Sequence, residues 1–285
     1  MRKLLFSFSV ITLLFSQSVL AGETDFVLLS EVLAAQPEEV QARYEYRHPQ
    51  QTVEFFGIAP GSVVVEALPG RGWYSKILLD YLGKDGSLIG VDYSQKMFPL
   101  FGFFSDEELE AKKTWKEQFI ADATEWSGDD GASVSAFVFG DMPEDMKGTA
   151  DIVLFIRALH NLARFEDQGG FLTTALQNAY DVLKPGGTVG IVQHLAREEM
   201  PDDWADGSNG YLKSAFVIEQ MLQAGFEYAG ESDINYNPKD LPTVEQFVWR
   251  LPPSLVTSRD NPELRAEMIA IGESHRMTLK FRKPQ

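Results

Sequence analysis

A pair of glycines and a following carboxylate have the types and spacing of a nucleoside-binding site. Glu66 ends a valine-rich run and is followed by Gly70 and Gly72. A glycine-rich turn between a strand and a helix lets backbone amides approach an anionic ligand closely. Asp92 lies 22 residues beyond Gly70, near the spacing of about 20 residues at which an acid hydrogen-bonds ribose hydroxyls. These features predict a site for a nucleoside-containing cofactor, although Asp92 can also be read as a turn residue before the helix cap Ser94.

Two histidines supply the groups best suited to proton transfer. His160 and His194 each follow an apolar run of the sequence. Histidine titrates near neutral pH, so either imidazole can act as a base, and a capping or packing role is the alternative for each. His48 and His275 have no partner at i+4, and the chain has no cysteine. We therefore predict neither a metal site nor a disulfide.

These residues lie between segments that alternate between strand and helix patterns. The strand-like runs are residues 62–66, 87–91, 133–139, 151–156, 188–193, 226–233 and 276–282, and the helix-like runs among them are 73–82, 94–100, 104–119, 167–183 and 214–224. The alternation predicts an α/β, Rossmann-like, doubly wound sheet of about seven strands with helices on both faces. We expect it to be mostly parallel, with the antiparallel last strand inserted beside the fifth. Such sheets bind ligands beyond the carboxyl ends of their strands.

The chain divides into three parts by pattern. Residues 1–21 form a signal peptide, residues 22–50 an N-terminal helical segment broken at Pro37, and residues 51–285 the α/β domain. This domain carries a polar, proline-containing insertion at about residues 235–275.

At several points the sequence resembles class I S-adenosylmethionine-dependent methyltransferases. The first motif of that family is an acid followed by a Gly-x-Gly loop, which Glu66, Gly70 and Gly72 match. Leu68 stands where the family usually has an earlier glycine. The resemblance spans residues 53–281 and continues through residues 91–94, 139–143, 151–154, 183–188 and 223–227. The 69–74 loop, residues 159–162 and the C-terminal residues 279–284 resemble a bacterial subgroup of predicted exported methyltransferases.

The resemblance implies S-adenosyl-L-methionine as cofactor. Glu66 and the loop that contains Leu68, Gly70 and Gly72 would hold its methionine end. Asp92 would bind the ribose, with Tyr93 packing nearby.

The resemblance also implies an acid at the adenine edge. This would be Asp141, and Asp122, in a similar stretch, is the alternative. Arg157 is counted with the cofactor-binding residues, and it can also pair with an acidic acceptor, or with Asp151 or Glu166.

Methyl transfer is a direct displacement, in which the protein aligns the nucleophile and removes a proton where needed. We expect a small-molecule or protein acceptor, which the sequence does not identify. Trp249 and Arg250 of the insertion either line an acceptor pocket or belong to a lid without chemistry. A non-catalytic S-adenosylmethionine- or nucleoside-binding protein of the same fold is the alternative, because Leu68 replaces a glycine. A nicotinamide oxidoreductase is disfavoured, because its third glycine is Ser75 here.

Charge and the first residues predict the compartment and exclude one class of partner. Arg2 and Lys3 precede an apolar stretch that ends at Ala21, the order of a secretory signal peptide. Cleavage after Ala21 would give an exported, periplasmic or extracellular protein with no membrane segment; an uncleaved anchor is the alternative. The formal charge of −17 would become −19 after cleavage. So acidic a chain repels phosphate backbones, so no nucleic-acid partner is predicted. The sequence does not indicate an oligomeric state.

Overall fold

The computed structural model describes residues 23–285, which contain a single large sheet covered by helices. The strands are β1 (Val63–Ala67), β2 (Ser87–Asp92), β3 (Ser133–Val138), β4 (Ala150–Ile156), β5 (Leu183–His194), β6 (Glu227–Ser232) and β7 (Arg276–Arg282). The α-helices are α1 (Phe26–Ala35), α2 (Glu38–Gln41), α3 (Tyr44–Arg47), α4 (Pro49–Phe56), α5 (Trp73–Leu82), α6 (Asp106–Lys112), α7 (Trp115–Ser127), α8 (Leu159–Arg164), α9 (Phe171–Val182), α10 (Ser214–Gln223) and α11 (Pro262–Ile271).

The seven strands lie in the order β3-β2-β1-β4-β5-β7-β6. Strands β1 to β5 pair in parallel, and β7 is antiparallel to both of its neighbours, β5 and β6. The predicted sheet and the insertion of its last strand beside the fifth are therefore confirmed. The chain leaves β1 first toward β2 and β3 and later returns to β4, so the strand order reverses between β1 and β4. Sheets of this type bind their ligands at such a switch point.

Alternate residues of the central strands pack into two separate hydrophobic cores, one on each face of the sheet. Val65 and Ala67 of β1 pack into the core under α8, α9 and α10. Val64 packs into the other core, with α1, α4, α5 and α7. Because side chains alternate across a strand, Glu66 faces the same side as Val64, toward α5.

The N-terminal helical segment shares the second of these cores. Leu29 and Leu33 of α1 are buried in the same cluster as Ile77 and Leu78 of α5. The backbone N–H of Asp25 donates to the Tyr81 hydroxyl over 2.9 Å. This packing makes the segment part of the core of the sheet domain. The described residues contain no helix long and apolar enough to cross a membrane, and the predicted signal peptide lies outside them.

Several predicted helix boundaries are wrong. The 94–100 run forms only a short 3-10 helix, Phe98–Phe101. The single helix predicted at 104–119 is two, because the chain breaks at Thr114, whose hydroxyl donates to the Ala111 carbonyl over 3.1 Å and competes with the helical bonding pattern. The helix predicted from residue 167 begins only at Phe171, after two glycines.

Candidate functional site

A cavity of about 820 Å³ opens at the carboxyl ends of four parallel strands. Leu68 after β1, Asp92 at the end of β2, Arg157 after β4 and His194 at the end of β5 all line it. The volume lies within the range of roughly 300–1,000 Å³ that is typical of small-molecule sites. The cavity thus lies at the edge of the sheet where the strand–helix alternation predicted a ligand site.

The loop after β1 keeps a left-handed backbone at three positions. Leu68, Gly70 and Gly72 have φ angles of +56°, +60° and +74°. This conformation costs a leucine roughly 1–2 kcal/mol relative to glycine. Leu68 and Gly70 line the cavity, whereas Gly72 does not. A Cβ on Gly72 would lie 2.3 Å from the Trp126 ring, so this glycine allows helix packing.

Glu66 lies beneath this loop and outside the residues that line the cavity. Its side chain points toward α5, where Oε2 accepts a hydrogen bond of 2.6 Å from the Ser75 hydroxyl. The residue is only 3% exposed, and burial raises the pKa of its carboxyl to about 7. The geometry fits support of the loop from below better than the contact with the methionine end that the resemblance implied.

Asp92 presents a carboxylate to the cavity. Its Oδ1 accepts the Tyr93 N–H over 2.8 Å, and no hydrogen bond from another described residue engages Oδ2. Burial raises the pKa of Asp92 to about 6, even though the Tyr93 N–H and the Lys112 charge act in the opposite direction. Tyr93 also lines the cavity, and its hydroxyl accepts a hydrogen bond of 2.8 Å from Asn161.

The two acids predicted at the adenine edge lie away from the cavity. The side chain of Asp141 is 77% exposed, and its nearest ionic partner is Lys116 at 4.0 Å. Asp122 lies within α7, where it accepts a hydrogen bond of 2.6 Å from Gln118. Gly140, with φ of +87°, turns the chain outward after β3. Neither acid belongs to the lining of the cavity.

The two predicted histidines are brought together, with ring centroids 5.4 Å apart. Nδ1 of His160 lies 3.4 Å from Gln193 Oε1, and Nδ1 of His194 lies 2.5 Å from the Ser274 hydroxyl. Burial lowers the pKa of His160 to about 4 and the pKa of His194 well below its usual value, where His160 and Arg157 contribute further. Both imidazoles are therefore neutral near pH 7 and retain a ring nitrogen that can accept a proton.

The insertion supplies one wall of the cavity. Trp249 lines it, with its ring 5.7 Å from that of His160. Arg250 points away into a buried network: it donates to the Tyr211 hydroxyl over 2.8 Å and to Asp240 over 2.5 Å. Of this pair of residues, one contacts the site and the other anchors the insertion.

Arg157 belongs to a charged cluster that the sequence did not reveal. Neither predicted partner pairs with it: Asp151 bonds Lys184 over 2.6 Å, and Glu166 caps α9. Instead, Arg157 Nη1 lies 3.8 Å from Glu273 Oε2.

The sequence analysis also missed the other members of the cluster. Arg43 and Arg47 bind the same carboxylate from the N-terminal segment. These partners are more than 200 residues from Glu273 in sequence, so only the fold brings them together. The i, i+4 spacing of the two arginines was the one local signal. Among residues 23–285, no group of histidine and acidic side chains is arranged to hold a metal ion.

Comparison with known proteins places the fold. No family model and no curated protein matches the sequence. A chain of the complex between the Haloferax volcanii Trm112 methyltransferase activator and a protein assigned as a methyltransferase is similar in structure, with a TM-score of 0.51 and 17% identity over 90% of this chain and 98% of that chain. Geranyl diphosphate C-methyltransferase from Streptomyces coelicolor A3(2), solved with Mg²⁺, geranyl diphosphate and S-adenosyl-L-homocysteine, has a TM-score of 0.51 and 15% identity over 92% and 90%. The fold is that of class I S-adenosylmethionine-dependent methyltransferases.

Proposed function

We propose that this chain is an S-adenosylmethionine-dependent methyltransferase that acts on a small-molecule or protein acceptor. One observation carries the proposal. A buried carboxylate, Asp92, stands beside the glycine loop at Gly70, at the switch point of a sheet that has the methyltransferase fold. Fold by itself does not decide function, so the support comes from these side chains and their placement.

The residues of the cavity fit this cofactor. Asp92 has a carboxylate oxygen available for ribose hydroxyls, and the backbone at Gly70 allows close approach of the methionine end. Phe98 and Phe101 line the cavity and pack against Tyr93, with ring centroids 5.7 and 5.5 Å away, which offers aromatic faces to a base. When bound, the cofactor supplies a methyl group on a positively charged sulfur.

The chain's own residues then have two tasks. A hydroxyl or amine acceptor must lose a proton when it is methylated, and the neutral rings of His160 and His194 are placed to accept it. Burial lowers the pKa of both rings, so each is a weaker base than an exposed histidine. Trp249 packs against His160, which is only 5% exposed. Desolvation of this kind favours transfer to the acceptor over side reactions.

We also propose that the protein is exported, in line with the signal-peptide pattern of residues 1–21. This pattern lies outside the described residues, and the proposal rests on sequence alone.

The test is calorimetric titration with S-adenosylhomocysteine, adenosine and NAD⁺. We expect S-adenosylhomocysteine to bind, and Asp92→Asn to weaken it roughly tenfold to a hundredfold, because hydrogen bonds to a charged group are typically worth about 1.5–3 kcal/mol. Asp141→Asn is the matched control, since Asp141 lies outside the cavity. Tighter binding of NAD⁺, or equal effects of the two substitutions, would overturn the cofactor assignment.

Catalysis needs a second measurement. Transfer of a labelled methyl group from S-adenosylmethionine to a candidate acceptor should fall in His194→Asn without a change in S-adenosylhomocysteine affinity. Tight binding of S-adenosylhomocysteine with no methyl transfer to any acceptor would instead favour the non-catalytic binding protein.

A further inference from the structure

Four arginines surround one buried carboxylate at the edge of the cavity. Glu273 Oε1 lies 3.1 Å from Arg47 Nε, and Oε2 lies 3.2 Å from Arg276 Nη1 and 3.8 Å from Arg157 Nη1; Arg43 also bonds Oε1. Burial by itself raises the pKa of Glu273, but the four positive charges outweigh it and hold that pKa at about 2. Glu273 is therefore ionised, and the cluster still carries an excess of positive charge.

That excess is not satisfied by the described part of the protein. Arg47 is only 2% exposed, yet its Nη1 has no hydrogen-bond partner there, and neither has the buried Nε of Arg157. Both side chains line the cavity. Buried polar groups of folded proteins are nearly always paired, and a buried charge almost without exception. The unpaired guanidinium atoms beside the cavity thus leave a place for an anionic partner from outside the described residues.

The other side chains that line the cavity also carry a net positive charge. Three carboxylates line it, on Glu39, Asp92 and Glu273, and Glu39 forms no ion pair with a described residue. The lining side chains with a positive charge are Arg43, Arg47, Arg71, Lys76, Lys112 and Arg157. A positively charged cavity in a chain of net charge −17 concentrates anionic ligands against the overall field.

The cofactor alone does not neutralise this wall. S-adenosylmethionine brings one carboxylate, but also an ammonium and a sulfonium, so its net charge is positive. The negative charge that would balance the wall can then come with the acceptor. Apolar side chains, among them Val248, Trp249 and Leu251, line the same cavity.

The arginines also lie next to the histidines. Ser274, whose hydroxyl contacts His194, directly follows Glu273 in the chain. A ligand held by the arginines is thereby placed beside the proton acceptors.

We propose that the methyl acceptor carries an oxyanion, a carboxylate or a phosphate, that binds Arg43, Arg47 and Arg157, and that its apolar part packs on the wall around Trp249. The inference rests on the proposed function, since it names the acceptor class of the same site. The planar guanidinium fork matches both oxyanions, and Arg47 Nη1 and Arg157 Nε have no hydrogen-bond partner among the described residues.

The experiment measures the binding of three probes of similar size to protein saturated with S-adenosylhomocysteine. Benzoate and phenyl phosphate carry the anion, and benzyl alcohol is their neutral counterpart. We expect at least one anionic probe to bind about tenfold tighter than benzyl alcohol, and inorganic phosphate to compete with it. Equal affinity of all three probes for the wild-type protein would overturn the proposal, whether or not any variant folds.

Substitution of single arginines tests whether the cluster is responsible for the preference for anionic probes. Arg47→Gln and Arg157→Gln should each reduce the anion preference several-fold, whereas Arg259→Gln, an exposed position outside the cavity, should keep it. A preference that persists in both cavity variants would contradict the proposal.

The cofactor's own carboxylate is the other possible source of the anion, and a second pair of ligands separates the two. 5′-Methylthioadenosine lacks the carboxylate of S-adenosylhomocysteine. If Arg47→Gln weakens S-adenosylhomocysteine but not 5′-methylthioadenosine, the cluster serves the cofactor and the acceptor proposal is wrong. If the wild-type protein binds neither nucleoside but still prefers the anionic probes, the methyltransferase proposal fails while the oxyanion site stands.

Discussion

Burial of Asp92 favours the protonated carboxyl, whereas the proposed ligand favours the ionised carboxylate. The pKa of its carboxyl in the free protein is raised to about 6, whereas the ribose hydroxyls of the proposed cofactor would donate to the ionised form. S-adenosylhomocysteine affinity should therefore be full above about pH 6 and fall as the pH drops below it, by up to about tenfold per pH unit. Calorimetry at about pH 5 and pH 7.5 measures this. Asp92→Asn should lose the pH dependence, and a variant that keeps it would show that another group titrates.

Glu66 makes a second residue-scale prediction, on stability. Its folded pKa of about 7 is above the ordinary value of 4.5, so the wild-type carboxyl is most favourable when protonated, and that contribution is lost as the pH rises from 4.5 through 7. Glu66→Gln keeps an acceptor for Ser75 without the charge. We expect it to raise the free energy of unfolding by about 3 kcal/mol at pH 8 and by much less at pH 4.5.

Urea unfolding at the two pH values tests this, with Glu227→Gln at an exposed position as the control. An equal effect of Glu66→Gln at both pH values would mean that the carboxyl of Glu66 is not the titrating group.

The residues that sequence reasoning found share one property, which is that a local pattern marks them. Asp92 and His194 end apolar strands, and Leu68 sits in a glycine turn, so their place follows from the strand itself. The structure leaves Asp141 exposed and outside the lining of the cavity, and the strand pattern did not predict the turn at Gly140 that precedes it. Glu273 was missed because no local sequence pattern around it indicates that arginines from the other end of the chain will pack against it.

At the scale of elements, the insertion is held in place by a buried polar network. The Tyr211 hydroxyl donates to Asp240 Oδ2 over 2.9 Å and accepts from Arg250 over 2.8 Å, and the adjacent Trp249 reaches the cavity. Tyr211→Phe removes both hydrogen bonds but keeps the ring that stacks on Trp204. We expect a loss of roughly 1.5–3 kcal/mol in the free energy of unfolding, because both partners are charged.

The matched control is Tyr228→Phe, whose tyrosine is 43% exposed and which should change stability by less than about 0.5 kcal/mol. Equal stability losses would contradict a special role of the Tyr211 hydroxyl. Methyl transfer should fall in Tyr211→Phe only, since only this substitution loosens the segment that carries Trp249.

The sequence pattern predicted the presence of each strand and of the longer helices, but it did not predict where the helices end. All seven strands were found, because most are short apolar runs between turn residues and β7 alternates polar and apolar residues. The helix predicted at 104–119 fails because the break at Thr114 depends on one side-chain hydrogen bond. The short α8 went unpredicted, since six residues are too few for a periodic signal.

For the whole molecule, the decisive question is whether the fold needs the residues before the predicted cleavage site. The described contacts begin just after it: Thr24 donates to the Ile58 carbonyl over 3.0 Å, and Asp25 both bonds Tyr81 and caps α1. A chain that begins at Gly22 keeps every one of these contacts. It should therefore fold and unfold cooperatively, and exported material should begin at Gly22 when its N-terminus is sequenced.

A chain that begins at Pro37 provides the contrast. It lacks α1, whose Leu29 and Leu33 are buried against α5. Full burial of a leucine side chain contributes about 1.5–3 kcal/mol, so losing both should lower the free energy of unfolding by at least about 3 kcal/mol, a large share of the 5–15 kcal/mol typical of a domain. Urea unfolding of the two chains measures the difference. Equal stabilities would show that the N-terminal helix is an appendage to the sheet domain rather than part of its core. Exported protein that retains Met1 would refute the cleavage separately.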